Sequence, residues 1–200
     1  MEIAVRAIGA LQTNCYLINK RVLIDPGDDT AALDAFIDEN KAHIGAILLT
    51  HGHFDHSAGC AHVMRRFGAK LYVGRGDEGM LSDTDLSLGR YYMRTPFEPV
   101  AADGTLDAGT FSFEDVSFTV LPAPGHTPGG VCLLSEKDGV LFSGDTLFAR
   151  GYGRTDFPGG SLHELLGSLR TLFALEGEYT VYPGHGESGL LTEIGKGYDL

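Results

Sequence analysis

Hydrophobic and polar positions change period several times along the 200-residue chain. From Glu2 to Asp25 the short apolar runs EIAVRAI, NCYLIN and RVLID alternate with turn residues and stop at DPGDD, the pattern of short strands ending in a tight turn. TAALDAFIDEN then switches to helical spacing. Leu33, Phe36 and Ile37 fall on one face, Asp34, Asp38 and Glu39 are left toward water, and Thr30 stands where an N-cap belongs. IGAILLT has almost no polar position, which predicts a strand buried on both faces. A second helix is expected from Ser57 to about Phe67, and AKLYVG returns to strand.

The second half repeats this grammar. FSFEDVSFTVLPA, GGVCLLSE and GVLFSGD read as apolar alternating strand segments separated by turns. SLHELLGSLRTLFAL reads as a helix opened by a capping box from Ser161 to Glu164, and YTVYPGHGE as a last strand and loop. Strands alternating with helices predict a layered α/β fold, here a single domain over residues 1–200. Residues 76–105 carry no clear period and are expected to wander over a surface or pocket.

Composition narrows the partners. A hydrophobic content of 43% is enough for a sizeable core, and a net charge of −12 repels phosphate backbones and anionic lipid. Small molecules are therefore expected as partners, with no nucleic acid and no membrane. MEIAVRAIGALQ lacks the basic-then-apolar pattern of a secretory leader and no 18 apolar residues run together, so a cytoplasmic protein is expected. Cys15, Cys60 and Cys132 are odd in number, widely spaced and without a CxxC pair, the usage of reduced, buried thiols.

Candidate chemistry concentrates at loops that follow strands. THGHFDHSAGC, directly after IGAILL, holds His51, His53, Asp55 and His56. Three later glycine-rich loops add His126 in APGHTPGG, Asp145 in FSGDTLF and His185 in YPGHGE. The ends of neighbouring strands lie side by side, so such residues can converge from afar. Imidazole and carboxylate without thiolate suit Zn, Fe or Mn. Seven donors exceed one tetrahedral ion, so two divalent ions sharing Asp145 are expected, with Zn ahead of Fe or Mn. His43, His62 and His163 lie outside these loops and are expected to be structural or solvated.

HGHFDH, GHTPGG, GDTLF and PGHG, in that order, resemble the motif set of the metallo-β-lactamase superfamily, in particular its hydroxyacylglutathione hydrolase (glyoxalase II) branch. The resemblance spans nearly the whole chain and implies a four-layer αββα sandwich with the site at one edge of two packed sheets. It implies one metal on His51, His53 and His126, a second on Asp55, His56 and His185, and Asp145 with a hydroxide between them. The implied activity is metal-dependent hydrolysis of a thioester such as a glutathione-like thiol conjugate, with Asp55 also orienting the nucleophile. β-Lactamases place a cysteine among the second-metal ligands and lack the last histidine of HxHxDH, so antibiotic hydrolysis is not expected.

Two features of the resemblance bear on specificity. Larger members carry a C-terminal helical domain with basic residues for glutathione, whereas this sequence ends shortly after His185, which predicts weak recognition of the thiol portion. After GDTLF the family has a lysine and, two positions on, a tyrosine; here Arg154 and Asp156 stand in GYGRTDF. Arg154 either holds a substrate carboxylate or pairs with Asp156 and stiffens the loop. GRTDF also occurs in persulfide dioxygenases, which bind one iron through residues matching His51, His126 and Asp145, so a mononuclear iron oxygenase is the alternative, and a non-catalytic metal-binding protein the third. Asp25, at the end of VLID, either orients a ligand histidine or is an ordinary turn carboxylate.

Overall fold

The computed structural model describes residues 1–93 and 98–198. Six strands lie in chain order in the first sheet: β1 (Ile3–Ile8), β2 (Thr13–Ile18), β3 (Val22–Ile24), β4 (Ala46–Leu48), β5 (Lys70–Val73) and β6 (Gly104–Thr105). The first three pair antiparallel, and β3 through β6 run parallel. Parallel neighbours need crossovers, which carry helix α1 (Thr30–Glu39), the single turn α2 (Phe54–Ser57) and helix α3 (Cys60–Phe67). Beyond β5 comes the short turn α4 (Gly89–Tyr92). The second sheet is β7 (Gly109–Phe113), β8 (Val116–Pro122), β9 (Val131–Ser135), β10 (Val140–Gly144), β11 (Thr180–Pro183) and β12 (Gly189–Leu190), all antiparallel except for β10 beside β11. Helix α5 (Leu162–Phe173) links that parallel pair, and α6 (Leu191–Gly195) follows β12.

Side-chain alternation decides how these pieces stack. In β2, Cys15 and Leu17 join a core with Leu33, Phe36 and Ile37 of α1 and Val63 of α3, while Tyr16 and Ile18 face Phe118, Leu133 and Phe142 of the other sheet. β4 does the same with Ile47 on one side and Ala46 and Leu48 on the other, which is why its sequence has no polar position. Leu141 and Val181 turn outward onto Leu169 and Leu172 of α5 and Leu191 and Ile194 of α6. The order is helices, sheet, sheet, helices, the four-layer α/β arrangement expected from the sequence.

Several boundaries differ from the sequence pattern. Asp29, not Thr30, caps α1, its carboxylate accepting from the Ala31 and Ala32 N–H groups at 3.1 and 3.2 Å. The helix expected from Ser57 is interrupted, because Gly59 donates its N–H to the Gly27 carbonyl at 2.7 Å and restarts the chain as α3. FSFEDVSFTVLPA is a hairpin, reversed at Glu114 with φ of 51°. Of residues 76–105, a 3-10 turn (Arg75–Leu81), α4 and β6 give partial order, and 94–97 lie outside the described residues. Ser161 caps α5 as expected, accepting from the Glu164 N–H at 3.3 Å. The three cysteines are buried and free, and no described helix is long and apolar enough to cross a membrane.

Candidate metal centre

The loops that follow β4, β8, β10 and β11 open on the same edge of the two sheets. His51 and His53 leave β4, Asp55 and His56 sit on α2, His126 lies between β8 and β9, Asp145 follows β10 and His185 follows β11. All seven predicted residues meet. Ligand atoms of His51, His53 and His126, of His51, His56 and Asp145, and of Asp55, His56 and His185 form three overlapping triads, each within 4.8 Å. Glycine makes this approach possible. A Cβ at Gly184 would stand 2.1 Å from Asp145 Oδ1, and one at Gly153 2.9 Å from His126 Nδ1.

Four of the five imidazoles are aimed by a partner behind them, whereas His53 turns its Nδ1 toward His126 Nε2 at 3.0 Å. His56 Nδ1 lies 2.9 Å from Asp25 Oδ2, His126 Nδ1 2.7 Å from the Arg154 carbonyl, and His185 Nδ1 3.1 Å from the Leu11 carbonyl. These acceptors favour the Nδ1–H tautomer and leave Nε2 for the centre. His51 Nδ1 meets the Thr50 hydroxyl at 3.2 Å, and that hydroxyl donates to Asp25 at 2.7 Å. Asp25 therefore orients His56 directly and His51 through Thr50. Of the two sequence readings, the orienting role fits this geometry. Asp25→Asn should weaken metal binding about 10-fold to 100-fold in a chelator competition. Unchanged affinity would return Asp25 to the role of a turn residue.

Electrostatics favours a cation here. Burial works against a charge on His56, yet Asp55, Asp25 and Asp145 raise it to about 9; His185, opposed in the same way, is raised to about 10 by Asp145 and Asp55. Burial also resists ionisation of Asp55, but His56 and His185 hold it well below the usual carboxylate range. Burial, with His126 beside it, drops His53 to about 3, and His51 falls strongly for the same first reason. The two carboxylates thus draw positive charge that protons supply in the absence of metal. His51 Nε2, His53 Nε2, His56 Nε2 and Asp145 Oδ1 are buried and have no hydrogen-bond partner. Since His53 presents Nδ1, three of these atoms, His51 Nε2, His56 Nε2 and Asp145 Oδ1, sit among the facing donors, and such orphans would be costly unless an ion satisfies them. The donor set fits divalent metal.

Three supports were not read from the sequence. Thr13 donates its hydroxyl to Asp55 Oδ2 at 2.8 Å and is fully buried. Asn14 donates to the Pro183 and Gly186 carbonyls at 3.0 and 2.9 Å, tying β2 to the His185 loop. Asp77, fully buried, accepts from the Gly52 N–H at 2.9 Å, the Thr127 hydroxyl at 2.7 Å and the Gly129 N–H at 2.6 Å. It joins the loop of His51 and His53 to the loop of His126. Only the side chain's partners reveal these roles, and no local motif marks them.

Arg154 reaches the cleft in front of the cluster, but its fork is occupied. Nε and Nη2 each donate to Asp156 at 2.6 Å, and the guanidinium lies 4.1 Å over the Phe157 ring. Holding a substrate carboxylate requires this ion pair to open. Away from the centre, His62 meets Asp34 at 2.8 Å and His43 packs edge-on against Phe67, as expected of structural histidines.

A buried imidazole and carboxylate cluster at the edge of two stacked mixed sheets defines a metal-binding α/β protein of the metallo-hydrolase type. The chain belongs to the metallo-beta-lactamase superfamily, whose family model matches residues 8–185. It is similar to the hydroxyacylglutathione hydrolase GloC of Haemophilus influenzae, 30% identical with 93% of this chain and 91% of that protein covered. Among solved structures it is similar to BLEG-1 B3 metallo-beta-lactamase, with a TM-score of 0.91, 32% identity and 98% and 97% coverage. It also resembles TTHA1623 in a di-iron-bound form, with a TM-score of 0.85, 34% identity and 96% of each chain covered.

Proposed function

We propose that the protein is a dinuclear thioester hydrolase of the hydroxyacylglutathione hydrolase type. The observation that carries this reading is the convergence of seven donor atoms into overlapping triads at the floor of an open cleft. His51, His53 and His126 would hold one divalent ion, Asp55, His56 and His185 the other, and Asp145 would lie between them. Bound there, such ions lower the pKa of water from 15.7 to about 7 and polarise a carbonyl oxygen. The di-iron form of TTHA1623 and the name of GloC support the metal count and the reaction class respectively.

The chain's own residues position the rest. Asp55 stays ionised, so it acts as an acceptor that orients the attacking water rather than as a reservoir for its proton. Thr13 fixes which Asp55 oxygen faces inward. The cleft, about 320 Å³, has room for a small acyl group and part of its thiol carrier.

The test combines elemental analysis with turnover. Two metal ions per chain and thiol release from a glutathione thioester are expected, with a KM toward the upper end of the usual ~1 μM to 1 mM span because Arg154, at the cleft, is already paired with Asp156. A single iron per chain, with oxygen uptake on glutathione persulfide, would establish the oxygenase instead. Metal binding without either turnover would leave a binding protein. The likeness to BLEG-1 adds β-lactam ring opening to the panel, and a penicillin cleaved faster than every thioester would replace the thioesterase reading.

A further inference from the structure

The cleft in front of the cluster is walled by aromatic and aliphatic side chains. Phe54 and Tyr92 stack at 5.5 Å with planes 7° apart and form one wall with Leu88. Phe157 stands edge-on to His53 at 5.7 Å, and Phe148 edge-on to His185 at 6.3 Å, so a ring flanks each end of the centre. Leu11 closes the remaining side, 46% exposed, and Tyr92 is 55% exposed. Tyr92, with Phe148 and Phe157 partly exposed and Phe54 buried behind it, has the area and the quadrupole to take another ring, edge-on or offset.

Charge points the same way. Apart from the proposed metal ligands, Arg154 is the only charged side chain lining the cleft among the described residues, and Asp156 already takes its fork. Arg150, in the open groove on the far side of His185, faces Glu187 at 3.5 Å. Among the described residues, a thiol carrier with two carboxylates meets here only arginines already paired with an acid.

We propose that this cleft takes an uncharged aromatic group carried next to the scissile carbonyl, in preference to an anionic carrier. The inference rests on the hydrolase reading of the same site. It names Tyr92 and Phe157 as specificity-determining residues, with Arg154 and Asp156 acting through Phe157, whose ring lies under the guanidinium.

Binding to the metal-loaded protein tests this without turnover. The probes are three thioethers: N-acetyl-S-benzylcysteamine, its S-methyl counterpart and S-benzylglutathione. The uncharged benzyl probe should bind about tenfold tighter than the methyl probe, as ring stacking and burial require, and S-benzylglutathione no tighter than the uncharged one. Tyr92→Ala, at a half-exposed position that the fold can spare, should reduce the benzyl preference to about threefold or less. Equal binding of benzyl and methyl probes, or tighter binding of the glutathione conjugate, would overturn the inference. Thiol release from N-acetylcysteamine thioesters is followed in parallel. A benzyl preference without thiol release sustains the apolar cleft and removes the thioesterase; thiol release without the preference does the reverse.

Discussion

Asp145→Ala is expected to lower metal content from two ions per chain to fewer than one and to reduce kcat/KM for a thioester by about 10³-fold or more. Its carboxylate reaches histidines of both halves of the cluster. Oδ1 lies 3.5 Å from His56 Nε2, and Oδ2 lies 3.7 Å from His126 Nε2 and 3.5 Å from His185 Nε2. Under the proposed assignment, its removal would take a donor from each ion. A metal ion contributes several kcal/mol of transition-state charge stabilisation, and about 4 kcal/mol corresponds to 10³ in rate. His185 is partly exposed and meets only Asp55 and Asp145 among the carboxylates, so His185→Ala should lose mainly one ion. Elemental analysis of both variants decides the matter. The same stoichiometry in the two would contradict a bridging Asp145.

The contrast between what could be read from the chain and what could not follows from the range of each interaction. Strand period and the HGHFDH cluster are local, so β2, β4 and the seven donors are visible along the chain, each donor at the end of an apolar run. The break before α3 depends on a carbonyl at Gly27, more than thirty positions from Gly59, and helical spacing alone could not show it. Arg154 and Asp156 are two residues apart, so the ion pair was available as one of two readings; the side chains adopt it. Asp77 lay in a segment without period. Its partners, Gly52 and Thr127, are 25 and 50 positions away, and their backbone and hydroxyl donors leave no signature in composition.

That unmarked aspartate yields the second large effect. Asp77→Asn keeps the shape but turns one of two acceptor oxygens into a donor, while all three partners, the Gly52 N–H, the Gly129 N–H and the Thr127 hydroxyl, approach as donors. If the amide oxygen keeps Gly52 and Thr127, the new NH₂ confronts the Gly129 N–H across the shortest of the three contacts, 2.6 Å. The site cannot relax by a small shift, because Gly129 already packs so tightly that a Cβ there would come within 2.3 Å of the Asp77 nitrogen. A buried donor left without an acceptor costs about 1–3 kcal/mol, and two facing donors add to it, so a loss of about 2–4 kcal/mol is expected. For a chain of this size that corresponds to roughly 5–15 °C in Tm. The loops of His51, His53 and His126 should also drift apart. With cobalt as the probe ion, the spectrum of that three-histidine position should then broaden or vanish before the signal from the Asp55, His56 and His185 position does. A variant with wild-type Tm and an intact cobalt spectrum would show that Asp77 neither braces the fold nor spaces the two ligand loops.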